Sequence, residues 1–132
     1  MARVLIVEDE SDVRDWIAHC LLREGHELRG VSDVKGARAL RSDESDYRPD
    51  LMLMDYALPD GDGVELLEEL TADWPDVPAV FVTVQWTGQV IERIERTGHQ
   101  RVAKPFDPDD LRAAVRRALE AGAARGDREA RS

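Results

Sequence analysis

The sequence predicts a single α/β domain: five parallel strands with helices on both faces. Three observations predict it. The run Leu51–Met54 and the runs over residues 4–7 and 79–82 are apolar throughout. Strands covered on both faces read that way, whereas half-exposed strands alternate. Between the strand runs lie segments whose apolar residues recur at helical spacing, and strict alternation of the two kinds implies parallel strands joined by right-handed crossovers. Each main run also ends on a polar residue that opens a loop, as Asp55 does before Pro59, Asp60, Gly61, Asp62 and Gly63.

The elements follow in order. Residues 4–7 form a β-branched and leucine strand, succeeded at once by Glu8, Asp9 and Glu10. Ser11 or Asp12 is placed to cap a helix in which Val13, Trp16, Ile17, Cys20 and Leu21 share a face, and Gly25 ends it. Glu27–Val31 reads as a second strand, interrupted by Gly30, and residues 34–40 as a short helix. A polar loop over 42–49 leads into Leu51–Met54. Val64, Leu66, Leu67 and Leu70 make a third helix that stops before Pro75. Residues 79–82 form a strand ending in Thr83. Residues 89–96 form a helix with Val90, Ile91 and Ile94 inward and Gly98 beyond its end. A brief strand over 101–103 stops at Lys104-Pro105. Asp107 then caps a last helix with Pro108 in first position and Leu111, Ala114, Val115, Ala118 and Leu119 on its apolar face. Residues 122–132 lack apolar periodicity and are expected to form a disordered tail, leaving 1–121 as the domain.

Composition narrows the function. The net charge of −10 argues against direct nucleic-acid binding, which needs clustered Lys and Arg, and favours a basic partner or a divalent cation. The single cysteine, Cys20, cannot form an internal disulfide. No run is long enough for a signal peptide or a membrane span, so a cytoplasmic location without membrane attachment is expected. His19, His26 and His99 lack metal-ligand spacing and read as structural or surface residues.

The strand ends gather Glu8, Asp9, Asp55, Thr83 and Lys104 on one edge, the edge at which open parallel sheets bind ligands. The set is chemically coherent. Adjacent carboxylates repel unless a cation is present, and their hard oxygens suit Mg²⁺. Lysine and threonine can each contact a phosphoryl oxygen, and an ionised carboxylate can attack phosphorus to form an acyl phosphate.

With its motifs LIVEDE, LMLMDYALPDGDG, FVT and AKPFD, the chain resembles the receiver domain of two-component response regulators, the chemotaxis-type single-domain members in particular. The resemblance covers residues 2–121. It implies a flavodoxin-like doubly wound fold with strand order 2-1-3-4-5. It further implies Asp55 as phosphoacceptor, Glu8 and Asp9 as the acidic pair holding Mg²⁺ with Asp55 and the backbone carbonyl of Ala57, and Thr83 and Lys104 as phosphoryl-sensing residues. The Lys104–Pro105 bond is expected cis. The donor implied is a sensor histidine kinase or a histidine phosphotransfer protein, the output a downstream protein target, and the state a monomer or a phosphorylation-dependent dimer.

Departures from the family pattern also carry expectations. Arg101 stands where the family usually has Tyr or Phe, and Val84 where a small residue is common. Ala57 and Gln85 flank the expected path of attacking water and would set the lifetime of the phosphoryl group. Two other readings are a phosphorylation-independent pseudo-receiver and a receiver fragment of a larger regulator. A phosphatase on a similar fold is disfavoured, because it would want an acid where Ala57 stands.

Overall fold

The computed structural model describes residues 2–44, 46–84 and 87–131, with 123–131 described as backbone helix only. In chain order the elements are β1 (Arg3–Val7), α1 (Ser11–Leu22), β2 (Glu27–Val31), α2 (Val34–Asp43), β3 (Leu51–Met54), β4 (Ala57–Leu58), β5 (Gly61–Asp62), α3 (Gly63–Leu70), β6 (Ala79–Thr83), α4 (Gly88–Arg96), β7 (Gln100–Ala103) and α5 (Pro108–Arg131). The five-stranded sheet has the order β2-β1-β3-β6-β7 and every neighbouring pair is parallel. Once β4 and β5 are set aside, this is the expected order 2-1-3-4-5 of a flavodoxin-like fold. Those two short strands form an antiparallel hairpin of their own, with Ala57 opposite Asp62, inside what the residue types predict as plain loop.

The apolar runs divide between two cores because successive strand side chains point to opposite faces. Leu5, Val7, Met52, Met54 and Phe81 pack under α2, α3 and α4. Val4, Ile6, Leu51, Leu53, Val80 and Val82 pack against α1 and α5. Register brings the strand ends to one level: Val7 lies opposite Met54, and Met54 opposite Phe81. β6 and β7 run on until Thr83 lies opposite Ala103. Glu8, Asp55 and Lys104 each follow directly.

Side chains cap most helices as their chemistry requires. Asp33 accepts from the Gly36 amide at 2.6 Å, Asp62 from Glu65 at 2.8 Å, Thr87 from Val90 at 3.3 Å and Asp107 from Asp109 at 2.8 Å. Helix α1 departs from expectation. It already includes Ser11, and Glu10 takes the cap position without a side-chain bond. The first helical turn closes from the Arg14 amide to the Glu10 carbonyl at 2.9 Å, so the turn is drawn back onto the acidic run. Gly25 and Gly98, with φ of 79° and 74°, follow α1 and α4 in the left-handed conformation expected past a helix end. Lys104–Pro105 is cis, as expected.

One further expectation is corrected. Trp16, assigned to the apolar face of α1, is 46% exposed and stacks on His19 at 5.7 Å between ring centroids. The buried stripe is carried by Ile17, Cys20 and Leu21, and Trp16 falls at its margin. The backbone from Gly122 to Arg131 is described as a continuation of α5. Alanine, arginine and glutamate there are strong helix formers, and propensity can prolong an existing helix without an apolar face. Gly122 itself lies against Pro78, whose ring atoms would stand 3.0 Å from an added Cβ. His26 and His99 prove structural: each accepts a backbone amide at Nδ1, from Ala2 and Ala79 respectively, both at 3.2 Å.

Candidate functional site

Among the described residues the buried polar side chains are Glu8, Asp55 and Thr83, at the ends of β1, β3 and β6. Burying two carboxylates is costly unless a cation accompanies them. The cation is Lys104, which leaves β7 and sends its ammonium between them: Nζ donates to Glu8 Oε2 at 2.6 Å and to Asp55 Oδ2 at 2.8 Å. All three side chains are less than a tenth exposed. Three strands distant in sequence thus meet in one ion-paired cluster at the expected edge.

Burial, assisted by the nearby Asp55 charge, pushes Glu8 from 4.5 up to about 7 against the pull of Lys104. Burial acts to lower Lys104, but its hydrogen bonds to Asp55 and Glu8 outweigh that and hold the ammonium above its usual range. An acid raised by folding binds more protons folded than unfolded, so its contribution is retained below pH 4.5 and lost as pH climbs through 7. In metal-free protein, wild type is therefore expected to lose up to about 3 kcal/mol relative to Glu8→Gln across that window. Urea unfolding of both proteins at several pH values measures the difference; parallel pH profiles would contradict the assignment.

Beside this cluster, Glu8, Asp9 and Glu10 bring carboxylate oxygens within 4.8 Å of one another, with Asp9 and Glu10 exposed. Such a set of hard oxygen donors, open to solvent on one side, suits a divalent cation of the Mg²⁺ kind. Glu10 joins Glu8 and Asp9 here, although it is absent from the metal-holding set that the resemblance implies. Its amide also donates to Glu8 Oε1 at 3.2 Å, orienting that carboxylate.

The loop after Asp55 is held tightly. The Ala57 amide donates to Asp55 Oδ1 at 3.2 Å, and the Gly63 amide to the Tyr56 carbonyl at 2.7 Å. Gly63 presses on the carboxylate's own backbone: a Cβ there would lie 2.3 Å from the Asp55 carbonyl oxygen. As a residue type Gly63 signalled only a loop, and the close approach that requires it is a tertiary fact.

Of the remaining expected residues, Thr83 is fully buried at the end of β6, and its carbonyl accepts the Lys104 amide at 3.1 Å. Val84 is 61% exposed. It shares a cavity of about 340 Å³ with Val13, Trp16, Lys104, Pro105 and Phe106, directly beside the cluster. Arg101 is exposed and pairs with Glu95 of α4 at 2.9 Å. Gln85 and the neighbouring Trp86 lie outside the described residues.

Residues 4–116 match the family model described as the response regulator receiver domain. The chain belongs to the response regulator receiver family. Similar curated proteins include the regulatory protein AtoC of Escherichia coli, 31% identical over 119 residues, covering 89% of this chain and 25% of that protein. The phosphate regulon transcriptional regulatory protein PhoB of Pseudomonas aeruginosa is 32% identical, covering 88% and 51%. Among solved structures, NtrX from Brucella abortus in complex with ATP superimposes with a TM-score of 0.85 at 32% identity, covering 97% of this chain and 29% of that one. A CheY-like receiver domain protein from Methanospirillum hungatei gives 0.85 at 25% identity, covering 95% and 98%. This receiver domain thus spans from a quarter to about half of the curated relatives named. PhoB is named a transcriptional regulator, so the likeness lends no support to the expectation that nucleic acid is never contacted. Among the described residues no helix is long and apolar enough to cross a membrane.

Proposed function

We propose that this receiver accepts a phosphoryl group on Asp55 from a phosphohistidine of a sensor histidine kinase or a histidine phosphotransfer protein. One observation supports it above the rest: Lys104 spans Glu8 and Asp55 at the carboxyl edge of the sheet. An Asp55 carboxylate oxygen attacks phosphorus, forming the acyl phosphate O–P bond. The N–P bond to the donor imidazole breaks, and its electron pair returns to the ring nitrogen. Little of this chemistry is covalent work for the protein, so positioning and charge neutralisation dominate.

Glu8, Asp9, Asp55 and the Ala57 carbonyl would hold Mg²⁺, with Glu10 close by. Bound there, the ion supplies positive charge against the carboxylate and the transferred oxygens. Lys104 stands ready to exchange a carboxylate partner for a phosphoryl oxygen, and the Thr83 hydroxyl to donate to another. Val84, Gln85 and Arg101 modulate access, hydrolysis and output. The apolar cavity formed by Val13, Trp16, Val84, Pro105 and Phe106 offers the donor a seat next to Asp55. Output passes to a protein partner, or to further domains where the receiver is one portion of a longer regulator. The folded receiver unit is taken as 1–121, working in the cytoplasm as a monomer or a phosphorylation-dependent dimer.

The test is incubation with acetyl phosphate, with Mg²⁺ or with a chelator, followed by intact-protein mass measurement. A single hydroxylamine-labile adduct that requires Mg²⁺ and disappears in Asp55→Asn is expected. An unmodified wild-type chain under both conditions would favour the phosphorylation-independent reading.

A further inference from the structure

We propose that Arg93 is a positioning residue for the Asp55 loop, tying helix α4 to the phosphoacceptor site; the regulatory meaning rests on the function proposed above. Arg93 lies on α4, far from Asp55 in sequence, yet one guanidinium nitrogen reaches two points of the loop that follows Asp55. Nη1 donates to the Tyr56 hydroxyl at 2.7 Å and to Asp62 Oδ2 at 3.1 Å. The guanidinium carbon also lies 5.6 Å from the centre of the Tyr56 ring, within cation–π range.

The two contacts grip a loop that is already closed on itself. Tyr56 directly follows Asp55 and hands the chain to Ala57, whose amide bonds Asp55 Oδ1. Asp62 pairs with Ala57 across the β4–β5 hairpin, and its other carboxylate oxygen caps α3 at the Glu65 amide. Asp62 therefore joins the hairpin, α3 and, through Arg93, α4. An isolated exposed ion pair would contribute little. Here the side chains of Arg93 and Asp62 are 37% and 22% exposed, and the arginine engages a hydroxyl, a carboxylate and a ring together. The expected consequence is mechanical coupling. A partner that rotates α4 pulls on Tyr56 and Asp62, and through Ala57 alters how the Asp55 carboxylate is held. By linkage, events at Asp55 must bias α4 to the same degree.

The test uses the full chain in three variants. Arg93→Met keeps the aliphatic stem, Arg93→Lys keeps a charge, and Tyr56→Phe removes only the hydroxyl. Without phosphate, hydrogen exchange at the Ala57 amide is expected to quicken about tenfold in Arg93→Met, and calorimetric Mg²⁺ affinity to weaken about three- to tenfold. Arg93→Lys should recover part of both, and Tyr56→Phe should move both in the same direction by less. Unchanged exchange and Mg²⁺ affinity in Arg93→Met and Tyr56→Phe would overturn the inference. Should Arg93→Met fail to fold, Tyr56→Phe and Arg93→Lys decide by the same two readouts. Acetyl phosphate labelling separates the two claims. A wild-type chain that labels beside an Arg93→Met chain indistinguishable from it defeats the positioning role alone. A wild-type chain that never labels defeats the proposed function, while the exchange result still judges Arg93.

Discussion

Exchange of Lys104 for methionine is expected to cost about 3–5 kcal/mol of stability at pH 8 and to slow labelling of Asp55 about a hundredfold. The stability loss follows from burial. Glu8 and Asp55 are almost sealed from water, and the ammonium 2.6 and 2.8 Å away is the cation that offsets their charge. Methionine keeps the length of the side chain but leaves two carboxylates facing one another. The loss is expected to shrink as pH falls through 7, where Glu8 can take up a proton, since its value is already pushed up to about 7 with Lys104 present. It should also shrink when Mg²⁺ replaces chelator, because a divalent ion can neutralise the same oxygens. Urea unfolding at pH 6 and 8, with and without Mg²⁺, measures all three effects. A small loss, indifferent to pH and to Mg²⁺, would show that Lys104 is a bystander.

The second large effect is expected at Gly63. Its conformation is open to other residues, and the constraint is proximity. An alanine Cβ would meet the Asp55 carbonyl oxygen at 2.3 Å, the Asp55 carbonyl carbon at 3.2 Å and Met54 Cγ at 3.1 Å. The first contact is with backbone, which cannot swing aside as a side-chain tip can. Gly63→Ala is therefore expected to cost about 2–3 kcal/mol and to slow labelling at least about tenfold, because the backbone that must yield carries the phosphoacceptor. Gly88→Ala is the natural comparison. It also opens a helix, but among the described residues nothing lies within 4 Å of its added methyl. A near-neutral effect is expected there on stability and on labelling. Equal behaviour of the two variants would contradict the close-packing account.

The parallel sheet was legible because its inner strands are covered on both sides, so Leu51–Met54 and its neighbours had to be unbroken apolar runs. The cluster of Glu8, Asp55 and Lys104 was legible for a related reason: Glu8 and Asp55 stand directly after such runs and Lys104 directly after the short strand β7, and parallel strands present their ends together. What escaped depends on distance rather than pattern. The β4–β5 hairpin is too short to leave a periodic trace. Trp16 sits at the margin of an apolar stripe, where spacing alone does not separate the buried edge from the exposed one. Gly63 and Glu10 gain their roles from neighbours brought close by the fold. Arg93, in a helix rich in charge, carries no mark of the one partner surface it reaches. Arg101 departs visibly from the family pattern, but its engagement with Glu95 on α4 became apparent only from the geometry.

Phosphorylation is expected on the Asp55 carboxylate. The most direct measurement is treatment with acetyl phosphate and Mg²⁺, reduction with borohydride to trap the acyl phosphate, and peptide sequencing by mass spectrometry. A reduced residue at position 55 and nowhere else is expected, absent when Mg²⁺ is chelated. Trapping at Asp9 or Asp60, or a label unaffected by Asp55→Asn, would contradict it.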